Sequence, residues 1–189
     1  MTPGTLIAIQ IKRTAVPEES AGLGFLIEAQ ATSGGQPSRI AGSWETSFGD
    51  SPFGMYVVAE HESDGYREFY LGPTWKPILG LTIGAGVGFE HVPNENPADT
   101  ERYNVFVSLD TDRVSAYSSI EYGVKTSWYV TTVMHHTSDA LNIGLMAEQY
   151  RGEGFRIEAL LGKLTIWGAA LYSRDTNSPT FVSAMSFQF

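Results

Sequence analysis

One segment of the chain carries a histidine and a serine at a spacing that suits nucleophilic chemistry. In His135-His-Thr-Ser-Asp-Ala140, His136 and Ser138 are two residues apart, so on a β-strand both side chains lie on one face. A histidine beside a serine hydroxyl can accept its proton, provided that a third polar group orients the imidazole. Nucleophilic catalysis is the chemistry that this pair would perform. The alternative is a polar turn, because Ser and Asp cap turns by bonding their own backbone.

Other reactive groups are sparse. His135 and His136 are adjacent and would point to opposite faces of a strand, so they cannot bind one ion together. His61 and His91 are isolated, and the chain has no cysteine, which excludes disulfides and thiolate metal sites. No glycine loop leads from a strand into a helix, as phosphate binding would require. We expect neither a metal nor a cofactor.

The elements that would position these residues are β-strands. Apolar and polar residues alternate almost end to end, between clusters of Gly, Pro, Asn, Asp and Ser. In Leu81–Glu90, for example, apolar residues alternate with Thr, three glycines and Glu; glycines on the polar face indicate a crowded or strongly curved interior. Gly162-Lys163 is predicted to form a two-residue turn. Thirteen segments are strand-like, at about 4–13, 21–32, 38–48, 54–62, 65–75, 79–91, 101–110, 113–124, 127–137, 140–150, 154–162, 164–174 and 179–189.

Composition limits the class of protein. The 189 residues fit a single domain over 1–189, 42% of them are hydrophobic, and no apolar run is long enough for a membrane-spanning helix. A β-barrel in a membrane is compatible with this hydropathy, because only every second residue faces lipid. The net charge of −9 argues against nucleic acid as a partner. Met1-Thr-Pro-Gly lacks the features of a secretory signal peptide, so we expect a mature form without its leader.

The last strand-like segment carries a sequence signal. Phe181, Met185, Phe187 and Phe189 share one face, and the given sequence ends on Phe-Gln-Phe189. This pattern resembles the assembly signal of bacterial outer-membrane β-barrel proteins, whose final strand typically ends in Phe with an aromatic or apolar residue two positions earlier. The resemblance implies an all-β, transmembrane, antiparallel up-and-down barrel in the outer membrane, of the porin-like superfamily. It also implies the lipid bilayer and, during biogenesis, the barrel-assembly machinery as partners.

Single-chain barrels of this kind have even strand numbers. The twelve segments from about Gly22 onward make an even barrel, so we predict 12 strands, with 14 or 10 as alternatives, and leave residues 1–20 unplaced. Counting back from the C-terminus puts the loops His91–Glu101 and Arg174–Thr180 at one end and the His136 turn at the other. A soluble β-barrel or sandwich is the competing fold. Aromatic residues at strand ends on the apolar face favour the membrane, as two girdles, and they comprise Trp44, Trp75, Tyr103, Trp128, Phe155, Tyr172 and Phe189.

In such a barrel the polar face lines the lumen. The excess of carboxylates predicts a narrow passive channel that favours small cations, since rings of carboxylates attract cations. The alternative is a closed structural barrel in which the charges pair with one another. The predicted pore-lining residues are Glu28, Glu45, Glu60, Glu68, Tyr70, Glu90, Tyr117, Glu121, Lys125, Tyr129, Glu148, Arg156 and Glu158, with Arg39, Tyr56, Phe106 and Tyr150 on the same predicted face.

The segment 135–140 also resembles the His-x-Ser-Asn-Ala/Gly motif of outer-membrane phospholipases and lipid A deacylases. The resemblance implies a lipid hydrolase that uses His136 and Ser138 on the lipid-facing wall. The chain departs from the motif in three ways. Asp139 stands where Asn is expected, no glycine follows, and the strand count puts the turn at the end opposite the longer loops. We therefore rank the hydrolase below the channel.

Overall fold

The fold is a single sheet of twelve strands. A computed structural model describes residues 24–33, 38–95, 99–124, 127–174 and 177–189. The strands are β1 Gly24–Thr32, β2 Arg39–Ser47, β3 Phe53–Glu62, β4 Arg67–Ile78, β5 Leu81–His91, β6 Asp99–Asp110, β7 Val114–Gly123, β8 Ser127–Ser138, β9 Leu141–Glu148, β10 Gly152–Leu161, β11 Leu164–Ser173 and β12 Ser178–Gln188. No helix in the described part of the chain is long and apolar enough to span a membrane.

Each strand pairs antiparallel with its neighbours in the chain, and β1 pairs with β12 to close a barrel. At this seam Ala29 lies opposite Met185 and Glu28 opposite Ser186. The predicted all-β barrel of twelve strands is confirmed. The strand-like segment 4–13 lies outside the described residues, and the single domain over 1–189 stays a prediction.

The two ends of the barrel differ. One end, here the turn end, carries short connections such as Leu79–Gly80, Asp139–Ala140 and Gly162–Lys163, together with Phe189. The other, the loop end, carries the connections after β1, β3, β5, β7, β9 and β11. The loops between His91 and Glu101 and between Arg174 and Thr180 both lie at the loop end, as predicted from the strand count.

The barrel is apolar outside and polar inside. Large outward side chains such as Leu145 and Phe155 are 57% and 69% exposed, whereas the inward charged residues Arg102 and Glu158 are fully buried. A soluble barrel would reverse this distribution, because it gains stability by burying its large apolar side chains. The distribution therefore favours the membrane barrel over the soluble alternative.

In strand β8 the side chains point in the direction opposite to the predicted one. Trp128 was expected on the outer wall, but it points inward and is buried, as are Val130 and Met134 on the same face of the strand. The register explains the error: Trp128 lies opposite Glu121 of β7, and directly paired residues share a face. The other predicted girdle residues behave differently. Trp44 is half-buried, and the exposed outward ones are Trp75, Tyr103, Phe155, Tyr172 and Phe189.

Two turn glycines provide a test of the hairpin geometry. Gly162 and Gly80 both have positive φ, at 65° and 80°, a region that costs other residues about 1–2 kcal/mol. A Cβ on Gly162 would meet nothing within 4 Å, whereas one on Gly80 would lie 2.1 Å from the Asp110 carbonyl oxygen. We expect Gly80→Ala to lower the free energy of unfolding clearly more than Gly162→Ala, which should cost about 1 kcal/mol. Urea unfolding in lipid vesicles measures both, and equal losses would contradict the turn geometry.

Candidate functional site

The interior of the barrel is the candidate site, because the strands direct most of the charged residues there. Of the predicted pore-lining residues, Glu45 is half-buried near the turn end, and its side chain pairs with Lys76. The ones that point inward and are buried are Glu28, Glu60, Glu68, Tyr70, Glu90, Tyr117, Glu121, Glu148, Arg156 and Glu158. These residues therefore point into the lumen, as predicted. Their role in conduction stays a prediction.

Two predicted lumen residues, Tyr129 and Tyr150, do not lie there. Tyr129 is 45% exposed on the outer wall, because it alternates with the inward Trp128 and Val130. Tyr150 belongs to the turn after β9, has a positive φ of 69° and is 41% exposed. Lys125 lies outside the described residues.

The sequence analysis missed four inward charged residues: Glu62, Lys76, Arg102 and Arg151. Glu62 shares the strand parity of Glu60, and Arg102 that of Phe106. Both Glu60 and Phe106 were predicted to face the lumen, so strict alternation would have found the two missed residues. Lys76 lies near the end of β4, beside a register irregularity between Trp75 and Ile78. Arg151 lies in a turn, where alternation gives no signal. With these residues, nine inward carboxylates face five inward cationic groups in the described part of the chain.

Arg102 is the centre of the first ionic cluster. Its guanidinium donates to Glu90 Oε2 at 2.6 Å, to Glu121 Oε2 at 3.2 Å and to the Tyr70 hydroxyl at 2.9 Å. Tyr70 in turn donates to Glu121 at 3.0 Å. One guanidinium thus binds two carboxylates directly, and its buried charge is offset by charge-assisted hydrogen bonds.

Tyr66, in the connection between β3 and β4, covers this cluster from the loop end. Its hydroxyl donates to Glu68 Oε2 at 2.7 Å and to Glu90 Oε2 at 3.3 Å. Burial and the neighbouring Glu68 carboxylate raise the pKa of Tyr66 far above its ordinary value. The hydroxyl therefore keeps its proton throughout the physiological range and remains a donor to both carboxylates.

A second group of ion pairs occupies the opposite side of the lumen. Arg39 bridges Glu60 at 3.2 Å and Glu28 at 3.5 Å. Arg156 pairs with Glu158 at 2.9 Å and stacks over the Trp167 ring at 3.7 Å, a favourable cation–π arrangement. The Trp167 indole also donates to Glu28 at 2.9 Å, which connects the two arginine pairs through one carboxylate.

On the turn side of the Arg102 cluster, aromatic side chains fill the barrel. The rings of Tyr56 and Phe106 meet edge to face at 5.0 Å, and Phe106 lies 6.0 Å from Tyr117. Glycines make room for them: a Cβ on Gly84 would come within 2.1 Å of the Phe106 ring, and one on Gly86 within 2.2 Å of the Tyr56 hydroxyl. We call Tyr56, Phe106 and Tyr117 the aromatic layer.

Little space remains between these side chains. Two voids lie inside the described part of the barrel, each of about 10 Å³, which is room for about one water molecule. One void borders the aromatic layer; the other lies between the Arg39 and Arg156 pairs and β8. Side chains of the ion pairs and of the aromatic layer line both voids, so the described interior is closely packed around them.

Among the described hydrogen bonds, none joins His136 to Ser138. The alternation of β8 puts His136 on the side of the inward Trp128 and Met134, not on the predicted lipid-facing wall. The Ser138 hydroxyl accepts a hydrogen bond from the backbone N–H of Ala140 at 3.3 Å, which is the predicted turn-capping role. His136 Nε2 lies 4.0 Å from Asp110 Oδ1, and the register is irregular between His136 and Ser138. The turn lies at the same end as Phe189. Among the described residues, no three His, Cys, Asp or Glu side chains are grouped to hold a metal ion.

A closed twelve-stranded antiparallel barrel with an apolar outer wall and a charged interior has the fold of the bacterial outer-membrane β-barrels. Comparisons of structure agree. The fold is similar to that of the NanC porin (11% identity, TM-score 0.55, covering 89% of this chain and 100% of that one). It is also similar to the KdgM porin (9% identity, TM-score 0.57, covering 88% and 99%).

The third neighbour is an enzyme, the outer membrane phospholipase A from Escherichia coli. It is 9% identical, with a TM-score of 0.54, and the match covers 87% of this chain and 92% of that one. No protein-family model matches the sequence, and a search of curated protein sequences found no match. At these identities the comparisons establish the fold, and both channels and a lipase use it.

The Arg102 cluster generates a stability prediction. Arg102→Met leaves Glu90 and Glu121 buried without their cation, and breaking a buried ion pair costs about 3–5 kcal/mol. The matched control is Arg174→Met, because Arg174 is also at the loop end and paired with Glu153, but its side chain is 82% exposed. We expect the control to lose less than about 1 kcal/mol. Urea unfolding in vesicles compares the two, and similar losses would contradict a structural role for the cluster.

Proposed function

We propose that this chain is an outer-membrane barrel that is closed to solutes in its resting conformation. The packed interior carries this proposal. The aromatic layer and the two arginine clusters fill the described lumen, and the remaining voids hold about one water each. A filled lumen braces the barrel wall, which suits a structural membrane protein. The outer membrane as location and the bilayer and assembly machinery as partners belong to the same proposal.

A second candidate function is a passive channel that favours small cations over anions. Nine inward carboxylates against five cationic groups leave an excess of negative charge that mutual pairing does not neutralise. Glu62 illustrates the excess: it is fully buried, and neither of its carboxylate oxygens accepts a hydrogen bond. Movement of the aromatic layer would connect such groups to water and favour cations over anions. The fold shared with two porins is compatible with this candidate.

Planar-bilayer recording separates the two candidates. We expect the wild-type protein to show no regular single-channel steps. We expect Phe106→Ala combined with Tyr117→Ala to produce steps with a cation-selective reversal potential, because the double substitution removes the aromatic layer and leaves the carboxylates. Phe155→Ala with Phe181→Ala, which removes two outward phenylalanines, is the control and should remain silent. Regular steps in the wild type would refute the closed barrel and leave the channel standing; anion selectivity in the double variant would refute the cation preference.

The lipid hydrolase is supported by the fold shared with the outer membrane phospholipase A and by the His-x-Ser pattern. The local geometry does not favour it, since the Ser138 hydroxyl bonds the backbone of its own turn. We expect purified protein in mixed micelles to release no fatty acid from phospholipid beyond a heat-unfolded control, and Ser138→Ala to behave identically. Hydrolysis by the wild type that is lost in both Ser138→Ala and His136→Ala would reverse this conclusion.

A further inference from the structure

The outer wall of the barrel carries a groove over β1. Its floor consists of the small side chains of Ala29, Ala31 and Ser183, and its rims include Ile40 and Met185. The rim residues stand out from the wall, with 61% and 52% of their surface exposed. The groove has a volume of about 530 Å³ and extends from the middle of β1 toward the loop end.

The groove lies on the outer side of the wall, and this position indicates which kind of molecule occupies it. A barrel wall of this kind faces the hydrocarbon of a bilayer, where water is not available to occupy a depression. Bilayer hydrocarbon consists of acyl chains, and the rims and floor offer them an apolar surface. The groove volume lies in the range of ordinary ligand-binding sites, about 300–1,000 Å³.

Polar and basic residues continue from the groove along the same row of the sheet. Ile40 is paired with His61, His61 with Arg67, and Arg67 with His91. His61, Ser38 and Ser63 line the groove at its loop-end side. Because Ala29 is in the middle of β1 and His91 is the last residue of β5, the row rises from hydrocarbon depth to the loop end. We call His61, Arg67 and His91 the basic row.

The basic row is available to a ligand. Arg67 is exposed and, within the described ranges, takes part in no ion pair. His91 shares a hydrogen bond with Asp99 at 2.8 Å, and the nearby Asp64 carboxylate accepts the backbone N–H of Tyr66. Directly below Arg67 and His91, the outward rings of Phe69 and Phe89 stack at 5.8 Å and continue the apolar wall.

Carboxylates are also exposed elsewhere on the outer wall at the loop end. Glu101 of β6 is exposed there, as is Glu153 of β10, which Arg174 pairs. The chain has a net charge of −9, yet the consecutive strands β3, β4 and β5 each carry an outward basic residue at this end. These three strands therefore define one sector of the wall. That sector adjoins the apolar groove, so the Arg67 guanidinium and two imidazoles lie beside an apolar surface at a single place on the wall.

We propose that the groove and the basic row together bind one phosphorylated lipid from the bilayer leaflet at the loop end. An acyl chain lies in the groove over Ala29 and Ala31, and the phosphate is bound by Arg67 and the histidines beside it. A guanidinium binds phosphate through short charge-assisted hydrogen bonds, and His61 belongs to both parts of the site.

Native mass spectrometry of the full chain in detergent tests the proposal, with bisphosphorylated lipid A as the probe. We expect a saturable one-to-one complex. Arg67→Ala should lower the affinity for the lipid roughly fivefold through loss of charge-assisted hydrogen bonds. In high salt the effect of the substitution should be smaller, because salt screens the charge. Ala31→Trp, which fills the groove, should weaken it by a similar factor. The matched controls are Arg174→Ala, at the same end, and Ala170→Trp, on the outer wall of β11; both should bind like the wild type.

Several outcomes would overturn the proposal. One is equal weakening by Arg67→Ala and Arg174→Ala, which would reflect general attraction of the loop end. Competition by inorganic phosphate at the lipid concentration would assign the basic row to a free anion. Loss of a dimer, rather than of lipid, in Ala31→Trp would assign the groove to a second copy of the chain. If the lipid bound only after deletion of residues 1–23, the groove would be assigned to that segment of the chain as its occupant. Folding of each variant is checked by its heat-modifiable gel mobility.

Discussion

Closure of the sheet between β1 and β12 is the constraint on which the other features depend. In hydrocarbon a backbone N–H or C=O without a partner costs several kcal/mol, so a sheet in a membrane has to close on itself. The seam is continued at both ends: Ser33 N–H donates to Phe181 O at 2.9 Å and Phe189 N–H to Phe25 O at 3.0 Å. Once the sheet is closed, each side chain faces either lipid or a lumen of fixed size.

That lumen is filled in two ways. Arg102 binds Glu90, Glu121 and Tyr70, and such multiple contacts offset the cost of removing a charge from water. Aromatic rings fill the space on the turn side, where glycines on β5 admit them. Packed side chains thus occupy much of the described interior.

The sequence predicts most of the fold because a strand exposed to lipid on one face alternates strictly. The number of strands, the closing strand and the end at which the loops lie all followed from alternation and from the parity of the count. The method failed at β8, where Trp128 and Val130 on one face and Tyr129 and Val133 on the other are similar in hydropathy. The direction in which the β8 side chains point depends on the pairing of Trp128 with Glu121 of β7. The sequence of β8 alone does not contain that information.

The candidate site was predicted less well for a related reason. Glutamates such as Glu60 and Glu158 were found because they interrupt an apolar pattern in mid-strand. Arg102 lies near the start of β6 and Arg151 in a turn, where the pattern is weakest. The number of partners that each arginine binds depends on distances across the barrel, and these distances follow from the register of strands that are remote in sequence.

The interior hydrogen bonds also have a mechanical consequence. Tyr56 on β3 donates to Asn104 on β6 at 2.9 Å, Tyr70 on β4 to Glu121 on β7 at 3.0 Å, and Trp167 on β11 to Glu28 on β1 at 2.9 Å. These bonds join strands that are not neighbours, so they act as struts across the circular section. An unsupported barrel flattens easily, because bending a sheet breaks no hydrogen bond. Here flattening would stretch the struts, and the barrel keeps its cross-section when the lateral pressure of the bilayer changes.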